Sequence, residues 1–369
     1  MGGWVSGWFR APERVAGGHL QLLDLLRGLS AFAILFWHYH HFFFPVGGTR
    51  PIAGYRSLEP LQDIFWPFYE HGRYAVLLFW LLSGFVFAHV YWGRTATTRS
   101  FIVNRIARLY PLHLVTLIVV AVLQTIAQAR LGGAMIYQHN GVGEFLAHLG
   151  FASNWLPDAP YSFNAPIWTV SVEIPAYALF WLLLPVLFRL GIVLPMLLTL
   201  GLGYAFVQTD WHLLSAMQCF FAGTALFMAG RATGVVGKLV LIGALAAIGV
   251  WGVGEVWMIR PIGALALCCA LVLALVMLED RPRPAWISRL NWLGDAGYGV
   301  YLWHFPWQLC LFLLVPGLAT DHSVAREPWF VLVFMVPVFL IAHLSFRWFE
   351  SPARRWVQKR LMPPREARG

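Results

Sequence analysis

The chain has 369 residues, 59% hydrophobic and only 12% charged. A soluble domain carries roughly 25% charged residues, so a soluble enzyme, a disordered chain and a secreted disulfide scaffold are excluded. The net charge of +9 has no soluble basic domain to present it, which excludes nucleic acid as a partner.

Residues 1–20 hold Arg10, Glu13 and Arg14 with no apolar core or cleavage site. They read as a cytoplasmic N-terminal segment, not a signal peptide. A helix needs about 20 mostly apolar residues to cross the hydrocarbon. About ten such stretches follow, at 21–44, 74–92, 109–129, 168–189, 192–207, 212–229, 237–253, 260–278, 297–316 and 329–349. The expected fold is therefore all-α and polytopic, with one membrane domain over 21–349 and a basic cytoplasmic tail over 350–369. Cys219, Cys268, Cys269 and Cys310 lie inside apolar runs and read as packing residues. Of the 26 basic residues, eighteen fall in loops or tails on one side and six on the other. That bias puts both termini in the cytoplasm and makes 45–73 and 130–167 the larger outer loops. The expected location is the cell inner membrane, with membrane lipid as the surrounding partner.

Ionisable residues inside membrane helices are costly and point to function. The first span contains Asp24, Arg27 and His38. Arg27 and His38 are eleven residues apart, about 20° past three full turns, so they share a face roughly 16 Å apart along the axis. Asp24 lies one turn before Arg27 and can hold its guanidinium. The spacing suits a long, thin ligand, gripped at an anionic head by Arg27 and presented at its reactive end to an imidazole base. The plainer reading is a topological anchor and an interhelical hydrogen bonder. Arg105 and Arg108 sit at i and i+3, one face of a helix, where two guanidinium forks can clamp phosphates or merely anchor a loop. Ser171 and Glu173 open the fourth span. Glu173 can orient His38 or simply favour a helix N-terminus. Tyr298, Tyr301 and His304 follow one another on the ninth span, with His304 expected in its inner half. His38 and His41 share a face, but no second pair of matching ligands accompanies them, so no metal is expected.

In this order these segments resemble the acyltransferase-3 family of integral membrane acyltransferases. The resemblance runs over nearly the whole chain. It rests on Arg27 with His38, Leu82-Ser83-Gly84-Phe85, Arg105-x-x-Arg108, Trp168–Glu173 and Tyr298–Pro306. It implies transfer of an acyl group, usually acetyl, from cytoplasmic acyl-CoA to a hydroxyl of a glycan or lipid-linked sugar. It makes His38 catalytic and the basic residues part of CoA binding. Acetyl-CoA is then a co-substrate, with no permanently bound cofactor. The resemblance is to the stand-alone form, with any second acceptor-handling step left to a separate protein. On this reading Arg27, Arg105 and Arg108 hold the phosphates, while His38, assisted by Glu173, deprotonates the acceptor. Ser171, Tyr298, Tyr301 and His304 are candidates for positioning the acceptor or the oxyanion. Direct transfer and an acyl-histidine intermediate both fit. The alternative is a secondary transporter or exporter of a lipid or sugar intermediate, with Arg27, His38 and Glu173 as a proton relay.

Overall fold

The computed structural model describes residues 20–362, apart from 95, 255–259, 280, 283, 285, 286, 288, 289 and 316. The N-terminal arginines Arg10 and Arg14, the loop arginines Arg283 and Arg289, and the last residues of the basic tail lie outside the described residues.

The described residues form helices and no strands. In chain order these are α1 (Gln21–Trp37), a 3-10 turn (His38–Phe43), α2 (Gln62–His71), α3 (Ala75–Tyr91), α4 (Thr98–Leu131) and α5 (Val142–Leu149). Then come α6 (Trp168–Leu190), α7 (Val193–Thr209), α8 (His212–Ala232), α9 (Val235–Gly254) and α10 (Arg260–Leu278). The chain closes with α11 (Asn291–Leu314), α12 (Pro328–Ser345) and α13 (Ser351–Leu361). Among the described residues, eight helical segments are long and apolar enough to cross a membrane. The chain is thus an all-α, multi-pass membrane protein. Two further expected spans are helices that fall outside those eight. One is α7, with 17 residues. The other is α11, which is 24 residues long but carries Tyr298, Tyr301, His304 and Gln308.

Several expected element bounds change, two of them around α4 and the tail. The third span was expected from 109, yet α4 runs 34 residues from Thr98, where the Thr97 side chain accepts from the Ser100 amide at 3.1 Å. Arg105 and Arg108 therefore lie within α4, on the helical face that their spacing predicts, and not ahead of it. The basic tail is also helical over Ser351–Leu361, joined to α12 through a π-turn at Phe346–Glu350.

The chain divides into two compact units. One holds the chain before Arg27, Val76–Ala96 and Val172–Arg289; the other holds Arg27–Ala75, Thr97–Ser171 and the chain from Leu290. In the first unit α3 and α8 cross where both carry glycine. A Cβ at Gly84 would collide with the Phe220 carbonyl, and one at Gly223 with the Leu81 carbonyl. Close backbone approach through small residues is how helices pack in lipid. Thr224 seals the crossing by donating to the Gly84 carbonyl at 3.3 Å. Of the apolar window of α8, 72% is buried, against 11% for α9, so α9 turns most of its surface outward to lipid. The Glu279 carboxylate accepts from the amides of Gln21 (2.6 Å) and Leu22 (3.2 Å), supplying from afar the N-cap that α1 lacks in its own sequence.

In the second unit α11 runs alongside α1 in the same direction. Gly28 meets Leu293, Gly297 faces the Arg27 carbonyl, His38 meets His304 and His41 meets Gln308. Partner numbers advance together, as in a parallel pair. Loop segments 45–54 and 132–140 pair beside the 3-10 turn: Gly47 donates to the Ala134 carbonyl at 3.1 Å, and Gln138 to the Gly48 carbonyl at 3.2 Å. Gln124 on α4 fixes the second of these by holding both the amide (3.0 Å) and the carbonyl (2.9 Å) of Met135.

Candidate functional site

The first span was expected to run helical to residue 44. Instead the α-helix ends at Trp37, and His38 opens a 3-10 turn. The physical reason lies in two side chains that take carbonyls at the junction. His40 donates from Nδ1 to the Trp37 carbonyl, and Gln308 donates from Nε2 to the His38 carbonyl at 2.9 Å. Side-chain groups that satisfy a carbonyl let the ladder tighten there.

The turn gathers imidazoles. The His38 ring centroid lies 4.7 Å from that of His304, 4.9 Å from that of His41 and 6.4 Å from that of His40. His304 was expected in the inner half of its span, well below His38. The structure corrects this: the rings stack at 25°, at one depth. The difference arises because α11 begins at Asn291, six residues earlier than expected, which places His304 near mid-helix. Among the described residues no three His, Cys, Asp or Glu converge as metal ligands.

The chain of hydrogen bonds through His41 fixes its tautomer. Gln308 gives its NH2 to the His38 carbonyl, so its oxygen faces His41 and accepts from Nδ1–H at 3.0 Å. The other nitrogen, Nε2, then accepts from the Tyr137 hydroxyl at 3.3 Å. Burial pushes the Tyr137 phenol well above its ordinary pKa, so it stays a donor. Gln308 and His41 are buried, and neither was singled out as a site residue by the sequence. A signal was present: Gln308 lies one turn beyond His304 on the same face of an apolar helix, a costly place for an amide. His38 itself is only partly buried, with Nδ1 sealed and the residue keeping an exposed edge.

The remaining candidates take defined places. Arg27 is half-buried on α1, where Gly297 of α11 approaches its carbonyl. Tyr298, the next residue, donates to the Leu109 carbonyl at 2.9 Å, adjacent to Arg108. One end of α11 thus lies against the main chain of Arg27 on α1 and of Leu109, next to Arg108, on α4. Seven residues on, roughly 10 Å along the helix, His304 meets His38. Tyr301 donates to the Pro166 carbonyl at 2.7 Å and receives from Thr169 at 2.9 Å. Ser171 is fully buried; its hydroxyl accepts from the Asn154 amide at 3.2 Å and its carbonyl from the Trp155 indole at 2.8 Å. Tyr298, Tyr301 and Ser171 therefore brace main chain. Glu173 is buried on α6 in the first unit, whereas His38 belongs to the second.

A family model described as an acyltransferase domain matches residues 20–347. Among curated relatives, the peptidoglycan O-acetyltransferase OatA of Listeria monocytogenes is 31% identical over 93 residues, 23% of this chain and 14% of that protein. The acyltransferase MdmB of Streptomyces mycarofaciens is 34% identical over 112 residues, 30% of this chain and 27% of that protein. BcsY of Komagataeibacter xylinus, which carries the name of a membrane-bound transacylase, is 26% identical over 295 residues, 72% of this chain and 74% of its own length. The matches to OatA and MdmB thus span under a third of those relatives. No solved structure matches the chain.

Proposed function

Since this chain belongs to the acyltransferase-3 family of membrane acyltransferases, we propose that it transfers an acyl group, acetyl in the simplest case, from acyl-CoA to a hydroxyl of a glycan or lipid-linked sugar. The observation that carries this reading is the parallel α1–α11 seam, with arginines at one end and the His38 ring at the other. The phosphates of the donor lie at Arg27, Arg105 and Arg108 on the cytoplasmic side. The thiol arm follows the seam and sets the thioester at His38. The acceptor reaches His38 from the opposite side.

His38 removes the proton from the acceptor hydroxyl, and the oxygen attacks the thioester carbonyl. The C–S bond breaks as the ester forms. The sulfur leaves as thiolate and takes the proton back from the imidazolium, so free CoA departs with its thiol.

The test is His38→Ala in the native host, with surface glycans read by mass spectrometry. Loss of the ester from a variant that still inserts and accumulates supports the assignment. Unchanged glycan acylation removes His38 from the chemistry. Movement of a solute without ester formation by the purified wild type replaces the enzyme with a transporter.

A further inference from the structure

The C-terminal helix α13 lies antiparallel on the start of α4. Arg99 donates from Nε to the Leu361 carbonyl at 2.8 Å, and Gln358 donates from Nε2 to the Asn104 Oδ1 at 2.8 Å. As the contact moves up α4 from Arg99 to Asn104, it moves back along α13 from Leu361 to Gln358. One further turn on each helix brings Arg354 opposite Arg108, with Arg105 beside them. The charges agree with this register: Arg354 lies within electrostatic reach of Arg108, Arg105 and Asp295.

Three arginines from two packed helices thus lie close enough for their charges to be felt by one another. Two carboxylates stand near them. Asp295 is exposed on α11, and Glu350, beside Arg108, already receives the Ser345 hydroxyl at 3.0 Å. Docking α13 on α4 does not need a third positive charge, since Asn104–Gln358 and Arg99–Leu361 supply the polar contacts. Like charges brought together repel, and a bound polyanion offsets that repulsion. Guanidinium forks suit phosphate oxygens in particular.

We propose that Arg354 joins Arg27, Arg105 and Arg108 in the site that binds the nucleotide phosphates of acyl-CoA, with α13 as one wall of that site. The inference rests on the acyl-CoA reading of Arg105 and Arg108, and it adds a residue that the family resemblance did not name. A membrane lipid headgroup offers the same chemistry, so the test separates the two sources.

The full chain is reconstituted in phosphatidylcholine nanodiscs, and CoA binding is measured by calorimetry for wild type, Arg354→Ala, Arg354→Lys and Arg105→Ala. Arg354 is exposed and Ala is a strong helix former, so the variant keeps the wild-type melting temperature without ligand. Arg354→Ala is expected to raise the Kd for CoA about 10-fold, in the range of charge-assisted hydrogen bonds. Arg354→Lys recovers part of the loss, and added salt shrinks the difference. Unchanged CoA affinity in Arg354→Ala, with a loss in Arg105→Ala, overturns the role of Arg354 alone. Unchanged affinity in both overturns the underlying acyl-CoA reading of the pair. A loss seen only as weaker stabilisation by phosphatidylglycerol nanodiscs, with CoA binding intact, overturns the proposal in favour of a lipid.

Discussion

The Gln308 amide donates to the His38 carbonyl at 2.9 Å, and the same side chain accepts from His41 at 3.0 Å. One buried residue of α11 therefore holds two points of the turn that presents the His38 ring. Gln308→Leu keeps the volume and removes both contacts, leaving His41 Nδ1–H without its acceptor. A misplacement of about 1 Å can cost roughly 100-fold in rate, and the lost buried contacts cost about 1–3 kcal/mol. The variant is expected to accumulate in the membrane, melt a few degrees lower and lose about 100-fold in kcat, with the KM for acyl-CoA little changed. An unaltered kcat would mean that the turn holds His38 without Gln308.

Glu59 predicts how stability depends on pH. It lies in the loop ahead of α2, 4% exposed, with Arg56 3.6 Å away. Arg56 is also engaged by Glu70 at 3.1 Å and by the Tyr69 carbonyl at 2.8 Å. Burial dominates and raises the Glu59 pKa to about 7, against the weaker downward pull of Arg56. In the unfolded chain a glutamate titrates near about 4.3. Between those two values the folded protein holds the extra proton, so stability falls as pH rises from about 4.3 to about 7 and is level above. The melting temperature of wild type should drop between pH 5 and pH 7.5 by more than that of Glu59→Gln. Parallel curves for the two proteins would show that Glu59 titrates normally.

Gly84 tests the packing of the first unit. Its missing Cβ is what lets α3 reach the Phe220 carbonyl of α8. Backbone cannot step aside as a flexible side chain can, so Gly84→Ala overpacks the crossing, at a cost of about 1–3 kcal/mol or more. The expected result is poor accumulation and a lower melting temperature in detergent. Gly243→Ala, at a position with open space around it, serves as the neutral control. Equal behaviour of the two variants would rule out the crossing as described.

Much of the helix plan was legible because apolar length is itself the signal in a membrane chain. The sequence predicts 168–189, and the helix is Trp168–Leu190; it predicts 260–278, and the helix is Arg260–Leu278. Charges hid the rest. Arg99, Arg105 and Arg108 lower the hydropathy of the first turns of α4, so that part of the helix reads as loop. The pairing of Arg27 and His38 on one helix follows from 3.6 residues per turn. No local periodicity, however, brings Gln308 to His38 across 270 positions. The same holds for His304, whose depth depends on where α11 starts, and for Arg354, whose neighbours come from the docking of α13 on α4. Tyr301 stands out by its place in the motif as a candidate for positioning the acceptor or the oxyanion. Its bond to the Pro166 carbonyl is long-range information that the motif does not carry.

Tyr137 and Gln308 meet on opposite nitrogens of His41, at 3.3 Å and 3.0 Å. If His41 transmits the hold of Gln308 to the loop that carries Tyr137, the two contacts are energetically coupled, because each polarises the same ring. Tyr137→Phe removes only the hydroxyl and leaves the aromatic packing against Phe305, 5.0 Å away between centroids. Alone it should lower kcat about 3- to 10-fold, since a single neutral hydrogen bond contributes about 1 kcal/mol. Combined with Gln308→Leu it should add less than this, because the ring that it steadies has already lost its other anchor. The double-mutant cycle on kcat is therefore expected to show coupling of about 0.5–1 kcal/mol, within the range for residues in one hydrogen-bond network. Strictly additive effects would show that the loop and α11 hold the His38 turn independently, with His41 serving only as filler between them.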